Sequence, residues 1–160
     1  MKISTLMSYA HGFGGASQEI VELEKAGLDV VWVPEAYSFD AVSAMGYLAA
    51  KTERITIASG ILNIYSRTPS LLAMTAAGLD ELSNGRFMLG LGASGPQVVE
   101  GFHGVPYDAP VTRIREIVEI CRNVWLREDK LNYAGKKYQI PLPKDQGTGI
   151  VSKLRDPRPV

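Results

Sequence analysis

Glu35 follows an almost unbroken apolar run, Leu28 to Pro34 (LDVVWVP). A carboxylate at the end of a buried strand caps the next helix, pairs with a charge, or does acid-base chemistry. Three other apolar runs also end in small and polar residues. Ser8, Tyr9, Ala10, His11 and Gly12 follow the first, Gly60, Ile61, Leu62 and Asn63 the third, and Ala93, Ser94 and Gly95 the fourth. His11 could move a proton near neutral pH, but a lone histidine in a glycine-rich loop reads first as a solvated residue. The segment LGASGPQVVEG sets backbone amides and the Ser94 hydroxyl ahead of a short predicted helix, the ingredients of an anion or cofactor cradle.

Several common chemistries lack their residues. The glycines of LGLGASG miss the dinucleotide fingerprint, there is no lysine-containing phosphate loop, and GASG lacks the GxSxG frame of a hydrolase nucleophile. No paired histidines or CxxC spacing point to a metal. His103, in GFHGVPY, reads as a loop residue, and Cys121, inside the amphipathic stretch Ile114 to Leu126, as a structural thiol.

The elements that must hold these groups alternate between two patterns. Ile3 to Met7, Leu28 to Pro34, Arg54 to Ser59 and Phe87 to Gly92 are short apolar runs that predict strands. Between them, Ala16 to Lys25, Asp40 to Thr52 and Pro69 to Leu82 predict helices. The first has Ala16, Ile20 and Leu23 on its apolar face, Glu19, Glu22 and Glu24 turned elsewhere, and Gly27 as C-cap. Asp40 is placed to N-cap the second, and Asn84-Gly85 to end the third. Gly27, Gly60, Gly85, Gly90 and Gly92 fall at or within strands and their boundaries, where a missing side chain lets backbones or a ligand approach. After Pro110, Ile114, Ile117, Val118, Cys121, Val124 and Trp125 share one face of a further helix. Beyond Glu128 the periodicity fades into a long loop, with Tyr138-Gln139-Ile140 as a short strand.

Strand-helix units in succession predict an α/β fold with a parallel sheet, because parallel neighbours need a crossover. Pattern alone leaves two architectures open: part of a (β/α)8 barrel, or a doubly wound open sheet whose helices would cover both faces. In either, ligands gather at the C-terminal ends of the strands, where the residues named above lie.

The chain has 160 residues, 46% hydrophobic and 21% charged, enough for one domain over 1–160 with a sizeable core. Lysine and arginine number 17, aspartate and glutamate 17, so no charge excess attracts nucleic acid or an anionic membrane. The N-terminus lacks a signal peptide's apolar core, and no apolar stretch approaches the roughly 20 residues of a membrane span. A cytoplasmic protein is expected.

Three blocks together carry a resemblance: EKAGLDVVWVPEAYSFDA; TERITIASGILNIYSRTP with AAGLDELSNGRFMLGLGASGPQVVEGFHG; and RIREIVEICRNVW. They resemble the bacterial-luciferase-like flavin monooxygenase superfamily, and SGPQVVEGFHG is more typical of its branch that uses coenzyme F420, a 5-deazaflavin. The resemblance covers nearly all of residues 1 to 140. It implies a TIM barrel, with this chain as the N-terminal half of about four strand-helix units, ending where relatives enter the fifth strand. It implies a non-prolyl cis peptide at Gly60-Ile61, with Ser59, Gly60, Ile61 and Asn63 lining the cofactor ring and Ala93, Ser94 and Gly95 near its ribityl side. Glu35 and Ala36 take the second-strand position of polar cofactor contacts, and Glu35 becomes the candidate catalytic residue. Some deazaflavin relatives carry an Asp-His pair there. This chain has Glu35-Ala36-Tyr37, which removes a histidine proton donor from that place.

The implied activity is hydride transfer between coenzyme F420 and a small organic substrate, in a homo-oligomer. The alternatives are an FMN-dependent monooxygenase that reacts with dioxygen, or a non-catalytic half-barrel that dimerises.

Overall fold

The computed structural model describes residues 1–10, 12–37 and 39–151. His11 lies outside the described residues. The chain forms two compact units, one of residues 1–63 with 75–94, the other of residues 64–74 with 95 onward.

In the first unit, β1 (Ser4–Leu6), β2 (Val30–Val33), β3 (Thr56–Ser59) and β5 (Phe87–Met88) form a parallel sheet in the order β1-β2-β3-β5. Helices α1 (Gly12–Lys25) and α2 (Ala41–Lys51) supply the crossovers, and α3 (Pro69–Leu82) runs from Pro69 in the second unit to Leu82 in the first. Alternate residues of a strand face opposite ways. Val31 and Ile57 share a register row and are sealed, while α2, with Ala44, Met45 and Leu48 buried, packs on β2 and β3. The neighbouring row runs Leu6, Trp32, Ala58 and Met88; its ends, Leu6 and Met88, are 60% and 44% exposed, while Ala58 at its centre is sealed.

Local sequence places the helix ends. Asp40 accepts hydrogen bonds from Ser43 N and Ser43 Oγ, both at 2.8 Å, and so caps α2. At the end of α1, Leu28 N donates to Leu23 O and Gly27 N to Glu24 O, with Gly27 at φ 102°. This is a Schellman closure, and the left-handed backbone suits glycine. Asn84 (φ 55°) and Gly85 close α3 in the same way.

Glu24 departs from the expected solvent-facing position. It is buried and accepts hydrogen bonds from the Glu53, Arg54 and Ile55 amides at 2.7–3.2 Å, stitching α1 to the start of β3. Burial alone would raise its pKa. The amides of Ile55, Arg54 and Glu53 and the charge of Arg86 outweigh burial and hold it below the ordinary carboxylate value.

The second unit repeats this device. It contains α4 (Pro96–Val99), α5 (Pro110–Leu126) and an antiparallel pair, β7 (Tyr133–Ala134) with β8 (Gln139–Ile140). Glu116 of α5 is buried and accepts from the Lys136, Lys137 and Tyr138 amides at 2.7–3.0 Å. Burial opposes and these amides favour its charge, leaving its pKa lowered. Ile117, Ile120 and Cys121 form the sealed core of α5, and burial pushes the Cys121 thiol up to about 11, as a structural cysteine requires.

A carboxylate whose folded pKa is depressed stabilises the fold fully above its unfolded pKa, about 4.3 for glutamate, and ceases to do so as pH falls through the folded value. Glu24→Gln should therefore lower stability at pH 7 by roughly 2 kcal/mol, and the gap should shrink as the pH drops below about 4. Urea unfolding at pH 7 and pH 3 checks this; an equal gap at both would mean that the charge of Glu24 is not what binds the amides.

Candidate functional site

At the C-terminal end of β3 the backbone changes sheets. After Ser59 it crosses the Gly60–Ile61 peptide, which is cis, and resumes as β4 (Leu62–Asn63). The neighbouring strand changes at the same level. The expected single strand Phe87 to Gly92 is interrupted: β5 ends at Met88 and β6 (Leu91–Gly92) pairs in parallel with β4. The break is caused from the neighbouring strand. Ser59 Oγ accepts a hydrogen bond from Gly90 N (2.7 Å) and donates one to Gly90 O (2.8 Å), so a hydroxyl takes the place of a ladder partner. Leu62 N also donates to Gly90 O at 2.9 Å, which starts the second sheet.

Two glycines make this junction sterically feasible. A Cβ on Gly90 would drive into the carbonyl oxygen of Ser59 and stand 3.2 Å from its carbonyl carbon. A Cβ on Gly92 would stand 2.7 Å from Ile61 Cγ1. The glycines read from sequence as points of close approach are thus places where backbone meets backbone and where Ile61 is received.

Two backbone hydrogen bonds align the strand ends. Met7 N donates to Trp32 O and Gly60 N donates to Val33 O, each at 2.8 Å. The residues following β1, β2 and β3 therefore leave the sheet side by side. Ser59, Gly60, Ile61, Asn63, Ala93 and Ser94 all belong to the first unit, with Ser59 and Asn63 buried and Ser94 at φ 53°. Gly95 opens the second unit, where its carbonyl accepts from Val98 N and Val99 N at the start of α4.

Glu35 is half-buried beyond β2, and its Oε1 accepts from Ala41 N at 3.2 Å, so it serves the N-terminus of α2 alongside Asp40. The capping use of this carboxylate is realised. Tyr9, beyond β1, packs edge-on against Phe39 with ring centroids 5.2 Å apart. Its hydroxyl is sealed from solvent and has no hydrogen-bond partner among the described residues. Burial first, then the charges of Glu35 and Asp40, raise the phenol above its ordinary pKa, so it is held protonated. Sequence reasoning put Tyr9 in the first loop without distinguishing it, because nothing local marks a tyrosine whose oxygen will be enclosed. His103 sits on an exposed turn, edge-on to Phe102.

Cavities lie in the second unit. One of about 570 Å³ is lined by Tyr65, Arg67, Arg113 and Tyr138 among others, with Arg113 paired to Asp108 at 2.6 Å. Among the described residues, no group of three or more His, Cys, Asp or Glu could hold a metal ion, and no helix is long and apolar enough to cross a membrane.

Comparison with known proteins gives this geometry a setting. The sequence model of a family described as luciferase-like monooxygenase matches residues 2–160. A Mycobacterium tuberculosis protein named as a coenzyme F420-dependent oxidoreductase is 40% identical over 136 residues, which are 85% of this chain and 39% of that protein. The coenzyme F420-dependent tetrahydromethanopterin reductase of Methanopyrus kandleri superposes with a TM-score of 0.73 at 25% identity, covering 87% of this chain and 43% of that one. The FMN-bound oxygenating constituent of 3,6-diketocamphane monooxygenase from Pseudomonas putida superposes with a TM-score of 0.76 at 20% identity, covering 89% and 45%. At that identity the likeness concerns the fold alone. The strand-helix units are those of a luciferase-like TIM barrel, and the chain spans less than half the length of each of these relatives.

Proposed function

Because the chain belongs to the luciferase-like monooxygenase family, we propose that the protein carrying it is an oxidoreductase that exchanges hydride between coenzyme F420 and a small organic substrate. The observation that carries this reading is the junction at Ser59–Asn63: a rigid edge, locked by the Ser59 hydroxyl onto Gly90, at the strand ends where barrel enzymes bind ligands. The 40% identity to the mycobacterial protein favours the deazaflavin over a flavin.

The backbone present fits a planar heterocycle at one place: the Gly92 position admits Ile61 where a side chain would exclude it, leaving the Gly60–Ile61 edge without a bulky neighbour from β6. In this reading Ser59, Gly60, Ile61 and Asn63 would hold the ring, with Ala93, Ser94 and Gly95 toward the ribityl chain. The coenzyme, when bound, supplies the two-electron carrier. This chain's residues would supply orientation and exclusion of water, with Glu35 beyond β2 as the candidate catalytic residue.

FMN is the second reading, favoured by the description of the matching family as luciferase-like monooxygenase. Fluorescence titration of the natural full-length protein with coenzyme F420 and with FMN separates the two. Tight binding of coenzyme F420 alone is the expected result, tight binding of FMN alone would move the reading to oxygen chemistry, and binding of neither would remove the cofactor from the function.

A further inference from the structure

We propose that the cavity at the start of α3 binds a small organic acid, whose carboxylate is received by Arg113 and Tyr138 and whose carbon body lies on the apolar part of the wall. The inference goes beyond the cofactor reading and does not depend on it. The cavity, of about 570 Å³, is built wholly from the second unit, and much of its wall is the segment 64–70, which follows β4 directly in the chain. Segments that follow barrel strands are where such folds build their ligand sites.

The first ground is the state of Arg113. Its guanidinium stands over the rings of Tyr65 and Tyr138, 5.3 and 5.5 Å from their centroids, while Nε and Nη2 both donate to Asp108 Oδ1. A fork held in this way gives up little freedom when it meets a ligand. Of the five N–H donors of a guanidinium, those on Nε and one on Nη2 serve Asp108 and one on Nη1 serves Tyr138 Oη at 3.3 Å. One N–H on each terminal nitrogen is left without a partner among the described residues, and such a pair is what a carboxylate takes in bidentate fashion. Arg113 lines the cavity and its side chain keeps 21% of its surface exposed.

The second ground is a shortage of acceptors. Tyr138 also lines the cavity; its oxygen accepts from Arg113, and its own proton has no acceptor among the described residues. The nearby carboxylates are engaged: Asp108 pairs with both Arg113 and Lys137, and Glu116 accepts from the Lys136, Lys137 and Tyr138 amides. A ligand at this edge must therefore bring acceptors of its own. The third ground is the rest of the wall. Ile64, Pro69, Val105 and Ile140 offer carbon, which a bare inorganic anion would leave against water and a hydrocarbon body would cover.

Isothermal titration of the natural full-length protein with 3-phenylpropanoate, with its neutral amide 3-phenylpropanamide and with inorganic phosphate tests this. The acid is expected to saturate the protein at about millimolar concentration, with the amide and phosphate each roughly tenfold weaker. Arg113→Lys, which keeps a cation beside Asp108 but loses the fork, should weaken the acid about tenfold. Tyr138→Phe, which removes one hydroxyl and spares the ring, should weaken it about fivefold and leave the amide within about twofold; this variant carries the test if Arg113→Lys fails to fold. Equal affinity for acid and amide would overturn the assignment, because the cavity would then be reading only carbon. Phosphate binding as tightly as the acid would overturn it as well, and so would an acid that fails to saturate by about 20 mM or an affinity that Tyr138→Phe leaves unchanged. None of these titrations contains coenzyme F420 or FMN, so failure here leaves the cofactor reading standing, and failure of that reading leaves this site standing.

Discussion

Gly90→Ala is expected to destabilise the chain by about 3–5 kcal/mol and to abolish cofactor binding in the full-length protein. The added Cβ meets the carbonyl of Ser59, which belongs to the backbone of β3 and cannot rotate away as a side-chain end can. To make room, β5 must move from β3, which breaks both hydrogen bonds between Ser59 Oγ and Gly90 and the bond from Leu62 N that starts the second sheet. Gly92→Ala is the internal control. Its Cβ meets Cγ1 and Cδ1 of Ile61, a side chain that can turn, so a loss of about 1–2 kcal/mol is expected. Urea denaturation followed by circular dichroism measures both, and equal midpoints for the two variants would contradict the assignment of Gly90 to a backbone-on-backbone contact.

Arg86→Met should cost about 3–5 kcal/mol. The guanidinium donates to five acceptors: Nε to Ser83 O, Nη1 to Thr52 Oγ1 and Ile55 O, and Nη2 to Ala49 O and Thr52 O, all within 2.7–3.1 Å. It thereby joins the last turn of α2, the approach to β3 and the end of α3, and its charge helps to hold Glu24 ionised. Methionine fills similar space and leaves four backbone carbonyls short of a donor. Arg86→Lys keeps the charge but not the planar fork, and should recover less than half of the loss. Full recovery by lysine in thermal unfolding would show that charge alone, without the fork's geometry, accounts for the stabilisation.

Much of the fold was legible because it is governed by short-range rules. The Pro69–Leu82 helix, the Asp40 cap, the Gly27 and Asn84-Gly85 closures and the parallel α/β order all follow from residue types acting within a few positions of themselves. The stretch SNGRFMLGLG shows where such reading stops. Its first residues end α3 by local geometry, but the role of Arg86 depends on carbonyls more than thirty residues away, and Gly90 is needed because Ser59 returns to meet it. An apolar run with two glycines looks like one strand until a hydroxyl from another strand divides it.

Glu24 and Glu116 were hidden for the same reason. Glu24 was read as turned away from the apolar face and nothing local marks Glu116, yet each is drawn inside by three consecutive amides of a distant segment. The candidate site divides along this line too. The residues that follow each strand were marked by their position after apolar runs, and the Gly60–Ile61 peptide by family resemblance. That Glu35 caps α2 while the Tyr9 hydroxyl is enclosed without a partner among the described residues was set by packing around them. Sequence by itself determined the family and the order of strands and helices along the chain, because periodicity and turn chemistry act locally. Tertiary structure alone decided which buried charges are compensated and where the fourth strand breaks, because those depend on partners that only folding brings together.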